Sequence, residues 1–100
     1  MSKNVAIWNQ KLLIAAMKGS ISGVKNCLQN GADVNCKDKE AVTNTPLHIA
    51  AGMCHTEIVD LLISGEAEID IMDIYGSTPL HWAAEKGHTK IVELLTTKGQ

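Results

Sequence analysis

"TPLHIAAGMCH", residues 45–55, returns thirty-three residues later as "TPLHWAAEKGH", residues 78–88. These two stretches hold both prolines and all four histidines of a 100-residue chain. Two explanations compete for the duplication. One is a histidine site for a metal or for catalysis. The other is a structural unit that recurs because one copy cannot bury its apolar face alone.

The duplication extends well past the motif. At a shift of 33, Thr45, Pro46, Leu47, His48, Ala50, Ala51, His55, Thr56, Ile58, Val59, Leu61 and Leu62 all meet identical residues. At a shift of 35, "LLIAAMKG" (12–19) falls on "LHIAAGMC" (47–54), and "NGADVN" (30–35) on "GEAEID" (65–70). The two extra residues lie in "CKDKEAVTN" (36–44) against "IMDIYGS" (71–77), a turn-rich segment where insertions are tolerated. The chain therefore reads as three units. In each complete unit a threonine, Thr45 or Thr78, is placed to cap a helix whose first residue is proline, where a missing N–H costs nothing. A break follows at Gly19, Cys54 or Gly87. A second helix then carries an apolar face, Ile58, Val59, Leu62 and Ile63 in one unit and Ile91, Val92 and Leu95 in the next. Gly31 suits a left-handed helix end, and "DIYG" (73–76) has the composition of a tight turn.

The period of 33, T-P-L-H-x-A-A, the "GH" between helices, "IVELL" and "GADVN" together resemble the ankyrin repeat. The resemblance implies an all-α repeat solenoid of stacked helix-turn-helix units with β-hairpin loops. It further implies one domain over 1–100: an N-terminal capping repeat at about 5–36, a second repeat at 37–70, and a third at 71–100 that ends without an obvious cap. Unit one departs from the motif. "QKLLIAA" (10–16) lacks the Pro and His, and its second helix has Gly23 in the slot of Ile58, with Lys25, Asn26 and Gln29 making it polar. A terminal repeat with a single neighbour needs such a face. Trp8 and Leu12, at i and i+4, are expected to pack together. Unit three lacks that polarity, so Ile91, Val92 and Leu95 are expected to be partly exposed and to invite end-to-end self-association. Cys54 stands where Gly19 and Gly87 stand, and Glu66 where Gly31 and Gly99 stand. If those backbones are left-handed, each costs about 1 kcal/mol; Gly65 could take over the cap from Glu66.

Several functions are disfavoured. The net charge is −2 and scattered, which leaves no basic footprint for nucleic acid. No apolar run reaches the length of a membrane span, and "MSKNVAIWNQ" is no secretory signal. Cys27, Cys36 and Cys54 form no C-x-x-C pair, so they read as free thiols of an intracellular, cytoplasmic protein. The histidines within each copy are seven apart across a helix break, unlike the close ligand pairs of structural zinc. Neither a G-x-S-x-G elbow nor a phosphate-cradling glycine loop is present. The expectation is no enzyme, no cofactor and no metal. In the resembled family the T-P-L-H histidine bonds backbone near the loop, so the repetition reads as architectural.

What remains is a surface for another protein. The resemblance implies a non-catalytic interaction module whose partner lies along the concave face and the loop tips. Carried over by position, that surface is Ala41, Val42, Asn44, Gly52 and Met53 in unit two and Ile74, Tyr75, Ser77, Glu85 and Lys86 in unit three. Unit one adds Met17 and Lys18. The competing reading of the apolar members is packing against the adjacent loop. Trp82 occupies the slot of Ile49 and is expected in the core. A second functional reading is an assembly element, or part of a longer array, that associates through its last repeat.

Overall fold

The computed structural model describes residues 4–40 and 44–98, which form six helices. They are α1 (Val5–Lys18), α2 (Ile21–Gln29), α3 (Pro46–Gly52), α4 (Thr56–Ser64), α5 (Pro79–Glu85) and α6 (Thr89–Lys98). No strand occurs among the described residues. The loops close through single backbone bonds, Asp38 N–H to the Asn44 carbonyl at 2.8 Å and Asp73 N–H to that of Ser77 at 2.9 Å.

The helices begin where side chains can serve orphan N–H groups. Thr45 and Thr78 each accept the backbone N–H of the histidine three residues on, and that histidine's ring receives the threonine's own N–H. This is a capping box with His in place of the usual Glu. Ser20 caps α2 by accepting from Gly23 N–H at 3.1 Å. Each first helix ends on a left-handed residue: Gly19 at φ 76°, Cys54 at 63° and Gly87 at 74°. Gly19 is required twice over, because a Cβ there would also lie 2.8 Å from the His55 ring. After α4 the left-handed residue is Glu66, at φ 70°, while Gly65 keeps φ −84°. The expected transfer of the cap to Gly65 does not occur.

The helices stack in two layers. α1, α3 and α5 form the first, α2, α4 and α6 the second, and α1, α3 and α5 each pack on the helix that follows. The interface between layers is the core: Leu12, Val24, Leu47, Ile58, Val59, Leu62, Ile91 and Leu95 are all buried. The alanines at 15–16 and 50–51 are buried too, and their small side chains let neighbouring first helices approach. Truncating Leu62, fully enclosed, belongs to the class of changes that costs about 2–5 kcal/mol.

Two expectations about the ends change. Ile91 and Leu95 are 0% and 2% exposed, because α6 turns them inward onto α4 and α5. Only Val92 is partly exposed of the three. The exposed leucine of unit three is instead Leu80 on α5, 37% exposed where its counterpart Leu47 is 1%. In unit one α2 does turn Ser22, Lys25, Asn26 and Gln29 to solvent, but α1 leaves Ile7 and Ile14 exposed. Trp8 packs against the core that contains Leu12, with the Lys11 ammonium 4.6 Å over its ring.

Cys54 and Glu66 are exposed and pay left-handed strain without a compensating contact in their hydrogen bonding. Cys54→Gly and Glu66→Gly should therefore each raise unfolding free energy by about 1 kcal/mol in urea titration. A loss of stability in both would contradict the strain.

Candidate functional site

The loop before α5 is wound around one carboxylate. Asp73 Oδ1 accepts the N–H groups of Tyr75 and Ser77, both at 2.9 Å, and Oδ2 accepts the indole N–H of Trp82 at 3.0 Å. Burial works to raise the Asp73 pKa, but the Ser77, Trp82 and Tyr75 donors together outweigh it and hold it below the usual aspartate value. With the loop tied inward at Asp73, the tip is thrown outward: Ile74 is 66% and Tyr75 77% exposed. They do not pack against the neighbouring loop.

The preceding unit grips this loop through His48, which is fully buried. Its Nε2–H donates to the Ser77 carbonyl at 2.7 Å, while Nδ1 receives the Thr45 N–H at 3.2 Å. A carbonyl can only accept and a backbone N–H can only donate, so the two bonds fix the neutral Nε2–H tautomer. Burial pushes the imidazole pKa below the ordinary histidine value; the Ser77 carbonyl and Asp73 carboxylate pull the other way, and Lys37 adds to the lowering. The second histidine of each motif points backward. His55 and His88 bond the carbonyls of Met17 and Gly52, each at 3.1 Å. The four histidines thus serve backbone, and among the described residues no group of three or more His, Cys, Asp or Glu is placed to hold a metal ion. Burial, with Asp33 adding to it, pushes the Cys36 thiol up to about 12, so it is no nucleophile at neutral pH.

Trp82 is not a core residue. It is half-buried in the first-helix layer, where its ring meets His48 edge-on at 5.3 Å between centroids and leans over Gly52. A Cβ on Gly52 would lie 2.8 Å from that ring. The matched residues Met17 and Glu85 carry side chains, so the glycine is what makes room. The ring covers Ile49, which is 7% exposed where Ile14 is 48%. The result is a groove of about 290 Å³ across the first helices. Ile49 and Gly52 line its floor, with Met17, Met53 and Trp82 beside them. Asp38 and Asn44 mark the end near the start of α3, and Lys86 the end near the close of α5.

Of the residues the sequence nominated, Asn44, Met53 and Lys86 come together here with Gly52 and Met17. Ser77 and Glu85 lie on the other side of Trp82, in a groove of about 480 Å³ shared with His81. Ile74 and Tyr75 stand apart at the loop tip, and Ala41 and Val42 lie outside the described residues. Sequence reading missed Trp82, Ile49 and Asp38. The available signal was Gly52: a residue without a side chain next to the slot where one unit has Trp and another Ile. A separate groove of about 410 Å³ between α4 and α6 is lined by charged residues and threonines with Leu94 as its one apolar member, and offers no comparable apolar floor.

Residues 12–100 match the family model of ankyrin repeats, in three copies. The chain is 36% identical over 67 residues to serine/threonine-protein kinase 12 of Arabidopsis thaliana, a match covering 67% of this chain and 14% of the kinase. It is 40% identical over 53 residues to two Rickettsia felis sequences named as ankyrin repeat proteins, 53% of this chain and 81% and 77% of theirs. It is 49% identical over 43 residues to protein fem-1 homolog C of Danio rerio, 43% of this chain and 7% of that protein. The matched segment thus spans only a small part of the kinase and of the fem-1 homolog. No described helix is long and apolar enough to cross a membrane.

His48 and Asp73 make stability depend on pH with the same sign. Below about 6.5 the unfolded chain protonates this histidine while the folded chain, with its lowered pKa, resists; stability is present above 6.5 and lost as pH falls below it. Ionised Asp73 adds stability that is lost only in stronger acid, as pH falls through its lowered folded pKa. Urea titrations between pH 7.5 and 5 should show a decline, approaching at most about 1.4 kcal/mol per pH unit per histidine, that is shallower in His48→Gln. Equal slopes in the two proteins would contradict this assignment.

Proposed function

Because this chain belongs to the ankyrin repeat family, whose repeats generally mediate protein–protein interaction and are generally non-catalytic, we propose that it is a protein-binding module. Its partner lies across the first helices and reaches the loop tip. The observation that carries this reading is the groove of Met17, Ile49, Met53 and Trp82, continued outward by Ile74 and Tyr75. Large apolar side chains left in solvent beside a fixed aromatic ring are the composition of an interface core. Tyr and Trp supply much contact area at low entropic cost, which is why they dominate hot spots. Met17 and Met53 adapt to the shape of what they meet.

A second reading, association through the last repeat, has its own support. Leu80 is exposed where Leu47 is enclosed, and no described residue takes His81 Nε2, the atom that in His48 grips the next loop. Both features are what a following unit, or another copy, would cover.

Affinity capture with the full chain should yield a partner whose binding weakens about thirtyfold, equivalent to roughly 2 kcal/mol, in Tyr75→Ala and in Met53→Ala. Lys90→Glu, on α6, should bind normally. The reverse pattern would place the surface on the second-helix layer. A mass that rises with protein concentration, and stops rising in Leu80→Glu, would favour the second reading.

A further inference from the structure

Asn44 is 92% enclosed by its 8% exposure, yet its Oδ1 has no hydrogen-bond partner among the described residues. It lines the groove of the proposed interface, two residues before α3. An unpaired buried acceptor is costly in a native fold and calls for an explanation. The nearest indole N–H, that of Trp82, is committed to Asp73. Asp38 lines the same groove, joined to Asn44 by the bond from its N–H to the Asn44 carbonyl. One of its carboxylate oxygens holds the Glu40 N–H at 3.1 Å, and the other has no described donor. Two acceptors and no donor therefore mark this end, with an apolar floor leading away from it.

We infer that the groove takes a peptide segment of a partner protein that places an arginine against Asn44 and Asp38 and lays an aliphatic side chain over Ile49 and Met53. This rests on the protein-binding reading above. A main-chain N–H of the partner would satisfy Asn44 but leave the Asp38 carboxylate covered and unpaired, which is unfavourable. A guanidinium carries five donors in a planar fork, enough for both groups, and its weakly hydrated face stacks on an indole such as Trp82. Lys86 sits at the other end of the groove, beyond α3, whose seven residues span about 10 Å. It is exposed, and about 10 Å is a Debye length at 0.1 M salt, so its repulsion of the arginine is largely screened.

The probe is a phage-displayed library of random dodecapeptides selected on the immobilised full chain, with clones resynthesised for affinity measurement. Supporting results are peptides that lose binding in Met53→Glu, share an arginine, and weaken about tenfold or more in Asn44→Leu, in Asp38→Asn, and when citrulline replaces the arginine. Circular dichroism checks that each variant is folded, and Asp38→Asn keeps the test decisive if Asn44→Leu is not. Peptides that depend on Met53 but carry no basic residue, or that bind both acceptor variants at full affinity, overturn the inference and leave the groove as the interface. If no peptide is selected, or the selected ones are indifferent to Met53→Glu, the inference and the reading beneath it both fail.

Discussion

The stack depends on one buried imidazole whose two nitrogens do opposite things. His48 Nδ1 accepts from Thr45 and so closes the start of α3, while Nε2–H reaches into the next unit and holds the Ser77 carbonyl. Helix capping and inter-unit adhesion are therefore the same side chain in the same protonation state. A glutamate could cap, as in the common capping box, but could not donate forward. A lysine could donate but could not accept. Only neutral imidazole does both, so the motif needs histidine at that slot. Where the slot holds Leu13, in unit one, the junction is made differently. Asn9 of α1 accepts the Asp33 N–H through Oδ1 at 2.7 Å and the Cys36 thiol through its carbonyl at 3.7 Å.

The same imidazole positions the candidate interface. Ser77, held by His48, donates to Asp73; Asp73 holds Trp82; and the Trp82 ring lies edge-on to His48 and over Gly52. This closed circuit leaves the indole few orientations. A ring fixed before a partner arrives loses little entropy on binding, which is how preorganisation contributes to affinity. The loop tip is treated in the opposite way: the Asp73 turn expels Ile74 and Tyr75 from any packing of their own. The groove and the tip are thus two products of one carboxylate.

Much of the fold was legible because its determinants are local. Thr-Pro before an apolar stretch, glycine at a helix end and the 33-residue period each carry a physical meaning that survives without coordinates. Even the two violations, Cys54 and Glu66, were readable as left-handed positions from their alignment with glycines. The misjudgements concern which of two faces an apolar residue takes. Trp82 aligns with Ile49, but an indole is too large for that slot and carries an N–H that needs a partner, so it swings to Asp73 and becomes a wall. Ile91 and Leu95 were expected at an open end, but α6 has both α4 and α5 to pack on, and turns them inward. Asn44 was nominated as a surface position; that its oxygen is enclosed and unpaired depends on a loop conformation that no local pattern encodes.

The central claim is that His48 is a neutral Nε2–H imidazole that ties one unit to the next. Long-range proton–nitrogen correlation spectra of ¹⁵N-labelled protein report the tautomer and the titration of each histidine directly. The account predicts that His48 shows a protonated Nε2 and an unprotonated Nδ1 at neutral pH, and that it stays in that state as pH falls through about 6.5, the ordinary histidine value. An Nδ1–H tautomer, or a titration midpoint at that ordinary value, would contradict it.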